Sequence, residues 1–192
     1  MRPFLITGLP RSRTAWLAHL FTMPGVWCEH EPSGRFESLS DLGDYFKPKS
    51  GSGWRIGAAD HGLGWWLAEI LHRWEPRVLL VERPVEEVYA ALRGLGLPAE
   101  CMQYLLELKR REDLVRQHPN VLAVPFSKLD DHRTMQRAWF HLLPGVPFDE
   151  SRFEYMRRFN IQLTDDWIKR CGKRAPGLYR ECADSLKEKC HA

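Results

Sequence analysis

The fold is decided by the stretch Phe4-Leu5-Ile6-Thr7-Gly8-Leu9-Pro10-Arg11-Ser12-Arg13-Thr14-Ala15-Trp16. Its first four residues form a short apolar run that ends at Gly8 and Pro10, which is typical of a buried strand followed by a tight loop. Apolar residues then recur with helical spacing, at Trp16, Leu17, Leu20 and Phe21. The stretch therefore predicts a strand, a tight loop and a helix.

The same alternation of apolar strands and amphipathic helices continues along the chain. Four further strands are predicted, at residues 25–30, 55–59, 77–83 and 121–125. Helices are predicted at residues 63–74, 85–95, 99–117, 133–143 and 150–159. Such alternation is typical of a parallel sheet covered on both faces. The predicted fold class is α/β, with three α/β/α layers and a central parallel sheet of about five strands.

The chain of 192 residues is predicted to be a single domain, because 44% hydrophobic and 28% charged residues suit one globular core. Residues 33–53 interrupt the alternation and are rich in Gly, Ser and charge, so we expect a mobile loop there. Ligands of parallel sheets bind beyond the carboxyl ends of the strands. This loop is then either a lid over the site or a surface loop without a role. Residues 165–192 form a polar, basic tail that the pattern assigns to no element.

Charge and cysteine content exclude several classes of protein. The 28 basic and 25 acidic residues are scattered, so there is no basic stripe for nucleic acid, and the charged run at residues 107–113 is interpreted as a solvated helix face. Five widely spaced cysteines without a C-x-x-C pair predict reduced thiols and no metal site. The first apolar run is too short for a signal peptide, and no stretch is long enough to cross a bilayer. We therefore expect a cytoplasmic protein that binds neither nucleic acid nor a membrane.

The loop from Gly8 to Thr14 predicts an anion site. A loop that opens a helix directs backbone N–H groups and the positive end of the helix dipole at one point. The usual nucleoside-triphosphate loop reads G-x-x-x-x-G-K-[ST], whereas this one reads G-x-x-x-x-R-T. Arg11, Ser12 and Arg13 supply side-chain donors for phosphate or sulfate oxygens. No apolar strand clearly ends in an aspartate for Mg²⁺, so we expect a metal-free anionic ligand.

These residues resemble the 5′-phosphosulfate loop of sulfotransferases, typically P-[KR]-S-G-T-[TS]-[WL]. The resemblance implies a P-loop nucleoside triphosphate hydrolase-like fold and the donor 3′-phosphoadenosine-5′-phosphosulfate (PAPS), with 3′,5′-diphosphoadenosine (PAP) as product. It implies a hydroxyl or amine acceptor on a small molecule or peptide. Arg11 corresponds to the basic residue that the family directs at the leaving-group oxygen. The implied donor-binding residues of the loop are Gly8, Pro10, Arg11, Ser12, Arg13, Thr14 and Ala15.

Two later segments extend the resemblance. Residues 77–91 resemble the family's strand and helix that bind the 3′-phosphate, and Arg83 occupies the place of the phosphate-binding arginine. Residues 124–130 resemble the family's late strand. The chain departs from the family pattern at Arg13, where a glycine is usual, at Ala15, where a hydroxyl is usual, and at Ala91, where a serine binds the 3′-phosphate. Candidates to compensate are Arg13 and the basic residues Lys169, Lys173 and Arg174.

Two residues are candidates for the general base. Glu31 ends the segment Cys28-Glu29-His30-Glu31 beside the loop, which resembles the C-G-E-E stretch of tyrosylprotein-type sulfotransferases and implies Glu31 as the base. His61 follows the third strand, roughly where cytosolic sulfotransferases carry their catalytic histidine, and Asp60 is expected to orient it. Either residue type serves when its pKa is tuned towards the working pH. His30 is a weaker candidate for the same role.

Two alternatives to a sulfotransferase stay open at this point. One is a P-loop kinase that has lost the usual lysine. The other is a non-catalytic nucleotide-binding protein that keeps the fold. The kinase predicts binding of ATP·Mg²⁺, whereas the other two hypotheses predict binding of PAP.

Overall fold

A computed structural model describes residues 2–47, 53–94 and 101–159. These residues contain a five-stranded sheet with the strands β1 Phe4–Gly8, β2 Val26–His30, β3 Arg55–Ala59, β4 Arg77–Glu82 and β5 Val121–Pro125. The strand order is β2-β3-β1-β4-β5, and every neighbouring pair is parallel. The predicted α/β class and the central parallel sheet of five strands are confirmed.

Seven α-helices lie in the described ranges. They are α1 Thr14–Phe21, α2 Leu39–Phe46, α3 Leu67–Trp74, α4 Val85–Arg93, α5 Cys101–Val115, α6 His132–Leu142 and α7 Glu150–Met156. Three short 3₁₀ turns accompany them, at Pro32–Arg35, Gly62–Trp66 and Phe126–Lys128. The predicted helix at residues 63–74 therefore begins as a 3₁₀ turn and becomes α-helical at Leu67.

The helices cover both faces of the sheet, which confirms the three layers. On one face α1, α6 and α7 pack around Trp16, Trp139 and Phe153, all fully buried. On the other face α2, α3 and α5 contribute the second apolar cluster, and α4 packs against α5 in a third. All five residues of β1 are buried, since this strand is central and covered on both sides. A strand buried on both faces needs the continuous apolar run that the sequence shows.

The position of β1 in the sheet explains where a ligand crevice forms. The chain leaves β1 into α1 on one face, while the neighbouring strands β3 and β4 lead to helices on the other face. Adjacent strands whose connections leave on opposite faces open a crevice beyond their carboxyl ends. The loop after β1 lies at this crevice.

The expectation of a loop over residues 33–53 is wrong for residues 33–47. Helix α2 begins after Ser38, whose backbone N–H donates to Asp41 Oδ2 at 3.0 Å, as in a capping box. Phe36, Leu42 and Phe46 are buried in the core on the α2 face. Their apolar surface holds the segment on the sheet, and Glu37, Ser40 and Asp44 between them are exposed. Residues 48–52 of this predicted loop and the predicted tail at 165–192 lie outside the described residues.

Other expectations concern the chain as a whole. Across the three described ranges, no helix is both long enough and apolar enough to cross a membrane. Cys28 is buried, Cys101 is half-buried, and both are free thiols, as the sequence predicts. Within the same ranges, no three His, Cys, Asp or Glu side chains are grouped to hold a metal ion.

Candidate active site

The loop between β1 and α1 has a strained backbone that brings it close to β4. A Cβ atom at Gly8 would lie 2.4 Å from the carbonyl oxygen of Val81, so only glycine fits this approach. Arg11 and Arg13 have φ angles of 68° and 60°, in the left-handed region that glycine favours. The glycine usual in sulfotransferases at the Arg13 position matches this backbone requirement. Non-glycine residues persist in such conformations where surrounding contacts hold them.

Side-chain contacts hold Arg13 in its left-handed conformation. One guanidinium nitrogen donates to Asp130 Oδ1 at 2.9 Å. The guanidinium also lies 4.4 Å from the centroid of the Trp16 ring. Both contacts direct the Arg13 side chain along the start of α1 towards the segment after β5. The departure from glycine is therefore accommodated by an ion pair and a cation–π contact.

The hydroxyl of Ser12 fits an oxyanion ligand. Ser12 is fully buried, and its Oγ has no hydrogen-bond partner among the described residues. A buried hydroxyl without a partner costs about 1–3 kcal/mol, so a ligand oxygen that accepts from it would remove this penalty. Thr14 is also buried, and it is the first residue of α1, where helix N–H groups favour an anion.

Arg83 follows β4 and contacts the anion loop directly. Its Nη1 donates to the carbonyl oxygen of Arg11 at 2.8 Å, and its Nε lies 3.3 Å from Glu87 Oε2. The guanidinium is 4.3 Å from the centroid of the Phe126 ring. The predicted phosphate-binding arginine thus lies beside the loop. Ala91 is on α4, in the same strand-and-helix unit.

Glu31 and His61, the two candidate bases, are brought together by the sheet register. His30 is level with Ala59 of β3, and the backbone N–H of Glu31 donates to the Ala59 carbonyl at 3.0 Å. Glu31 itself has a φ angle of 50°, so the chain turns sharply as it leaves β2. This turn places Glu31 Oε1 3.1 Å from His61 Nδ1. The two candidate bases therefore form one hydrogen-bonded pair.

Asp60 acts on His61 through the backbone of two turns. It is fully buried, with Oδ2 accepting from the Ser33 backbone N–H at 2.9 Å and Oδ1 accepting from that of Gly62 at 2.8 Å. These bonds tie the turn after β3 to the turn after β2. Asp60 therefore fixes the backbone that carries His61, while Glu31 contacts the His61 ring.

Burial and pairing act in opposite directions on the Glu31–His61 pair. Burial disfavours the charged form of each group. The hydrogen bond between them and their opposite charges outweigh burial, so the pKa of Glu31 lies below its ordinary value and the pKa of His61 lies above its own. The charge of Asp60 also raises the pKa of His61.

His30 links the anion loop to this pair, a contact that the sequence did not indicate. Its Nε2 lies 3.2 Å from Thr14 Oγ1 and 3.5 Å from Glu31 Oε1. Thr14, His30, Glu31 and His61 thus form a continuous row of polar side chains from the loop to the end of β3. Three of the row are 16–22% exposed, so the row lies in a partly open crevice.

Glu112 is a buried carboxyl that the sequence analysis missed. It is 1% exposed, its Oε1 has no hydrogen-bond partner among the described residues, and burial raises the pKa of Glu112 to about 8. A Cβ at Gly64 would lie 3.5 Å from this oxygen and 3.2 Å from Thr7 Oγ1. The prediction of a solvated face over residues 107–113 is therefore wrong for Glu112. The spacing of Glu112 could have indicated its burial, because it lies on the same face of α5 as Leu105, Leu108 and Val115.

Comparison with known proteins supports the same fold. No protein-family model and no curated protein sequence matches the chain. The chain is similar to the mouse sulfotransferase SULT7A1 in its crystal structure with PAP, with a TM-score of 0.59 and 13% identity. The chain has a sulfotransferase-like fold. The match covers 82% of this chain, which spans 63% of the mouse sulfotransferase.

Proposed function

We propose that the protein is a sulfotransferase that moves the sulfuryl group of PAPS to a hydroxyl or amine of a small molecule or peptide. The observation that carries this proposal is the row of side chains from Thr14 to His61, which joins an oxyanion loop to a carboxylate–imidazole pair. Transfer of a sulfuryl group needs both parts, because charge develops on the leaving oxygen while the acceptor loses a proton. The likeness in fold to a sulfotransferase that binds PAP supports this class of donor.

The loop residues serve the donor side of this reaction. When bound, PAPS supplies an electrophilic sulfur and a phosphate leaving group. The hydroxyls of Ser12 and Thr14 and the N–H groups at the start of α1 hold phosphate oxygens. Arg11 is permanently charged and stabilises negative charge on the leaving oxygen without exchanging a proton. Arg83 donates a hydrogen bond to the Arg11 carbonyl oxygen, which holds the loop and its hydrogen-bond donors in place.

The Glu31–His61 pair serves the acceptor side. Glu31 accepts the Nδ1 hydrogen bond of His61, and Nε2 is the nitrogen that takes the acceptor proton, as in other carboxylate–histidine pairs. Glu31 then stabilises the imidazolium that forms. Because the pKa of His61 is raised and that of Glu31 is lowered, His61 is the better base near neutral pH. We therefore assign His61 as the base and Glu31 as the residue that orients it.

Ligand binding separates the proposed function from the kinase alternative. PAP is expected to raise the melting temperature, since it binds only the native state, and ATP·Mg²⁺ is expected to leave it unchanged. Ser12→Ala should weaken the shift caused by PAP, because the buried hydroxyl is lost. Ser127→Ala is the matched control, since Ser127 is exposed in the turn after β5. Stabilisation by ATP·Mg²⁺ alone would reject the sulfotransferase.

The pH dependence of transfer identifies the base. Labelled PAPS is incubated with a panel of phenol, sugar and amine acceptors, and the initial rate is measured from pH 4 to 9. Activity falls as the base becomes protonated, so the acid limb should lie above pH 6.5, the ordinary value for histidine, when His61 is the base. A limb below pH 4.5 would assign Glu31 instead. PAP binding with no transfer to any acceptor supports the non-catalytic alternative.

A further inference from the structure

We propose that His30 couples donor binding to the Glu31–His61 pair, because a phosphate in the loop strengthens the hydrogen bond between His30 and Thr14 and draws the His30 N–H away from Glu31. The proposal rests on the proposed function, because it needs an anion at Thr14. His30 acts here as a positioning residue. Its effect reaches the acceptor side through Glu31.

The hydrogen of His30 is assigned by the atoms around Nε2. This nitrogen lies between Thr14 Oγ1 at 3.2 Å and Glu31 Oε1 at 3.5 Å. An ionised carboxylate only accepts hydrogen bonds, so a bare Nε2 would face it with a repelling lone pair. Nε2 therefore carries the hydrogen. The N–H of His30 is hydrogen-bonded to Thr14 Oγ1 and lies close to the charge of Glu31 Oε1, so a small rotation of the ring changes its distance from the carboxylate.

At neutral pH the ring of His30 carries one N–H, because its pKa lies below the ordinary value for histidine. Burial lowers the pKa of His30, and this effect outweighs the carboxylates of Glu31 and Asp60, which raise it. The other titratable groups that face the ring are His61 and His19, which also lower the pKa.

A phosphate in the loop strengthens the bond from His30 to Thr14. When Thr14 Oγ1 accepts from His30, its own hydroxyl hydrogen is free to donate to a ligand oxygen. A hydroxyl that donates to an anion becomes a better acceptor, because hydrogen bonds in a row polarise one another. The N–H of His30 then moves towards Thr14 and away from Glu31.

The movement of this N–H away from Glu31 makes the carboxylate a better partner for His61. Glu31 Oε1 then shares less of its charge with His30 and accepts more strongly from His61 Nδ1, which lies 3.1 Å away. A stronger acceptor at Nδ1 stabilises the imidazolium form of His61. The row therefore raises the proton affinity of His61 when the donor is bound.

The direct test is an NMR titration of His61 in the whole chain, without and with saturating PAP. The negative charge of PAP raises the pKa of His61 in every variant, so the coupling is the extra increase in the wild type over His30→Phe. This extra increase should be up to about 0.5 pKa unit, since an N–H dipole moves away from a carboxylate to which it is not hydrogen-bonded. His30→Gln, which keeps an N–H donor, should restore part of it. Thr14→Val, which keeps the shape and lacks the hydroxyl, should abolish it.

A second measurement uses the wild-type protein alone, so it does not depend on whether a variant folds. The ¹⁵N and ¹H resonances of His30 Nε2–H in the wild type should move on addition of PAP, as expected for a shorter hydrogen bond. Calorimetry measures PAP binding separately. Binding of PAP with equal His61 shifts in wild type and His30→Phe overturns the coupling and leaves the donor assignment intact. Failure of PAP to bind overturns the donor assignment and the coupling together.

Discussion

Replacing the buried Glu112 by Gln should stabilise the protein, and the gain should depend on pH. Glu112 is 1% exposed, and burial, the largest effect, raises its pKa to about 8. The charges of Asp113 and Glu82 raise it further, while Lys109 and His61 oppose the increase. In the unfolded chain the same carboxyl has an ordinary pKa of 4.5. Folding at neutral pH therefore forces this group to take up a proton.

The sign and size of the effect follow from this difference in pKa. Below pH 4.5 the carboxyl is protonated in both states, so Glu112 carries no ionisation penalty. As the pH rises towards 8, the unfolded chain loses the proton and the folded chain keeps it, so the free energy of unfolding falls. The penalty is about 3 kcal/mol at pH 7 and about 5 kcal/mol above pH 8. Gln has the same shape and no such proton, so it should recover most of this amount.

Urea denaturation of both proteins from pH 5 to 9 measures the gain. The difference in the free energy of unfolding should be small at pH 5 and should grow by about 1.4 kcal/mol per pH unit up to pH 8. Glu107→Gln is the control on the same helix, because ion pairs with Arg110 and Arg111 lower the pKa of Glu107 to about 2. That variant should lose stability at neutral pH. A Glu112→Gln difference that stays constant with pH would refute a raised pKa.

Two further predictions concern the backbone of the anion loop. Gly8→Ala should cost at least about 2 kcal/mol in urea denaturation, because the new Cβ would lie 2.4 Å from a backbone oxygen of β4, and it should weaken PAP binding in calorimetry. Gly34→Ala, where nothing lies within 4 Å of the new Cβ, should be nearly neutral by comparison. Arg13→Gly should change stability by less than about 1 kcal/mol, since relief of the left-handed strain offsets the lost contacts to Asp130 and Trp16. Arg13→Val should be clearly less stable than Arg13→Gly, and equal stabilities would refute the strain at this position.

The strands and their order of appearance follow from the sequence alone. Each strand is an apolar run bounded by turn residues, and a strand that is covered on both faces buries every side chain, so the signal is continuous. β3 and β5 have the predicted bounds, and β4 is one residue shorter than predicted. The loop after β1 was also readable, because Gly8, Pro10 and the following helix are adjacent in the chain.

Two segments were misread because their burial depends on distant residues. Helix α2 carries its apolar residues on one face, while the segment 33–53 around it is rich in Gly, Ser and charge. It is stable because Leu42 and Phe46 meet side chains of β3 and α3. Glu112 lies in a charged run, yet α5 turns it towards the core near Thr7. The composition of such a run describes all of its residues together, whereas packing buries only the residues on one face of the helix.

The residues of the candidate site could be named from the sequence, but the contacts between them could not. Local spacing was enough to name Glu31 and His61, because polar residues at the carboxyl ends of parallel strands gather at one edge of the sheet. Their relation was decided by the register of β2 and β3 and by the left-handed turn at Glu31, which set the 3.1 Å contact. The bridge from Thr14 to Glu31 through His30 depends on the same tertiary pairing. The sequence determined which groups are present, and the tertiary structure decided which of them share a proton.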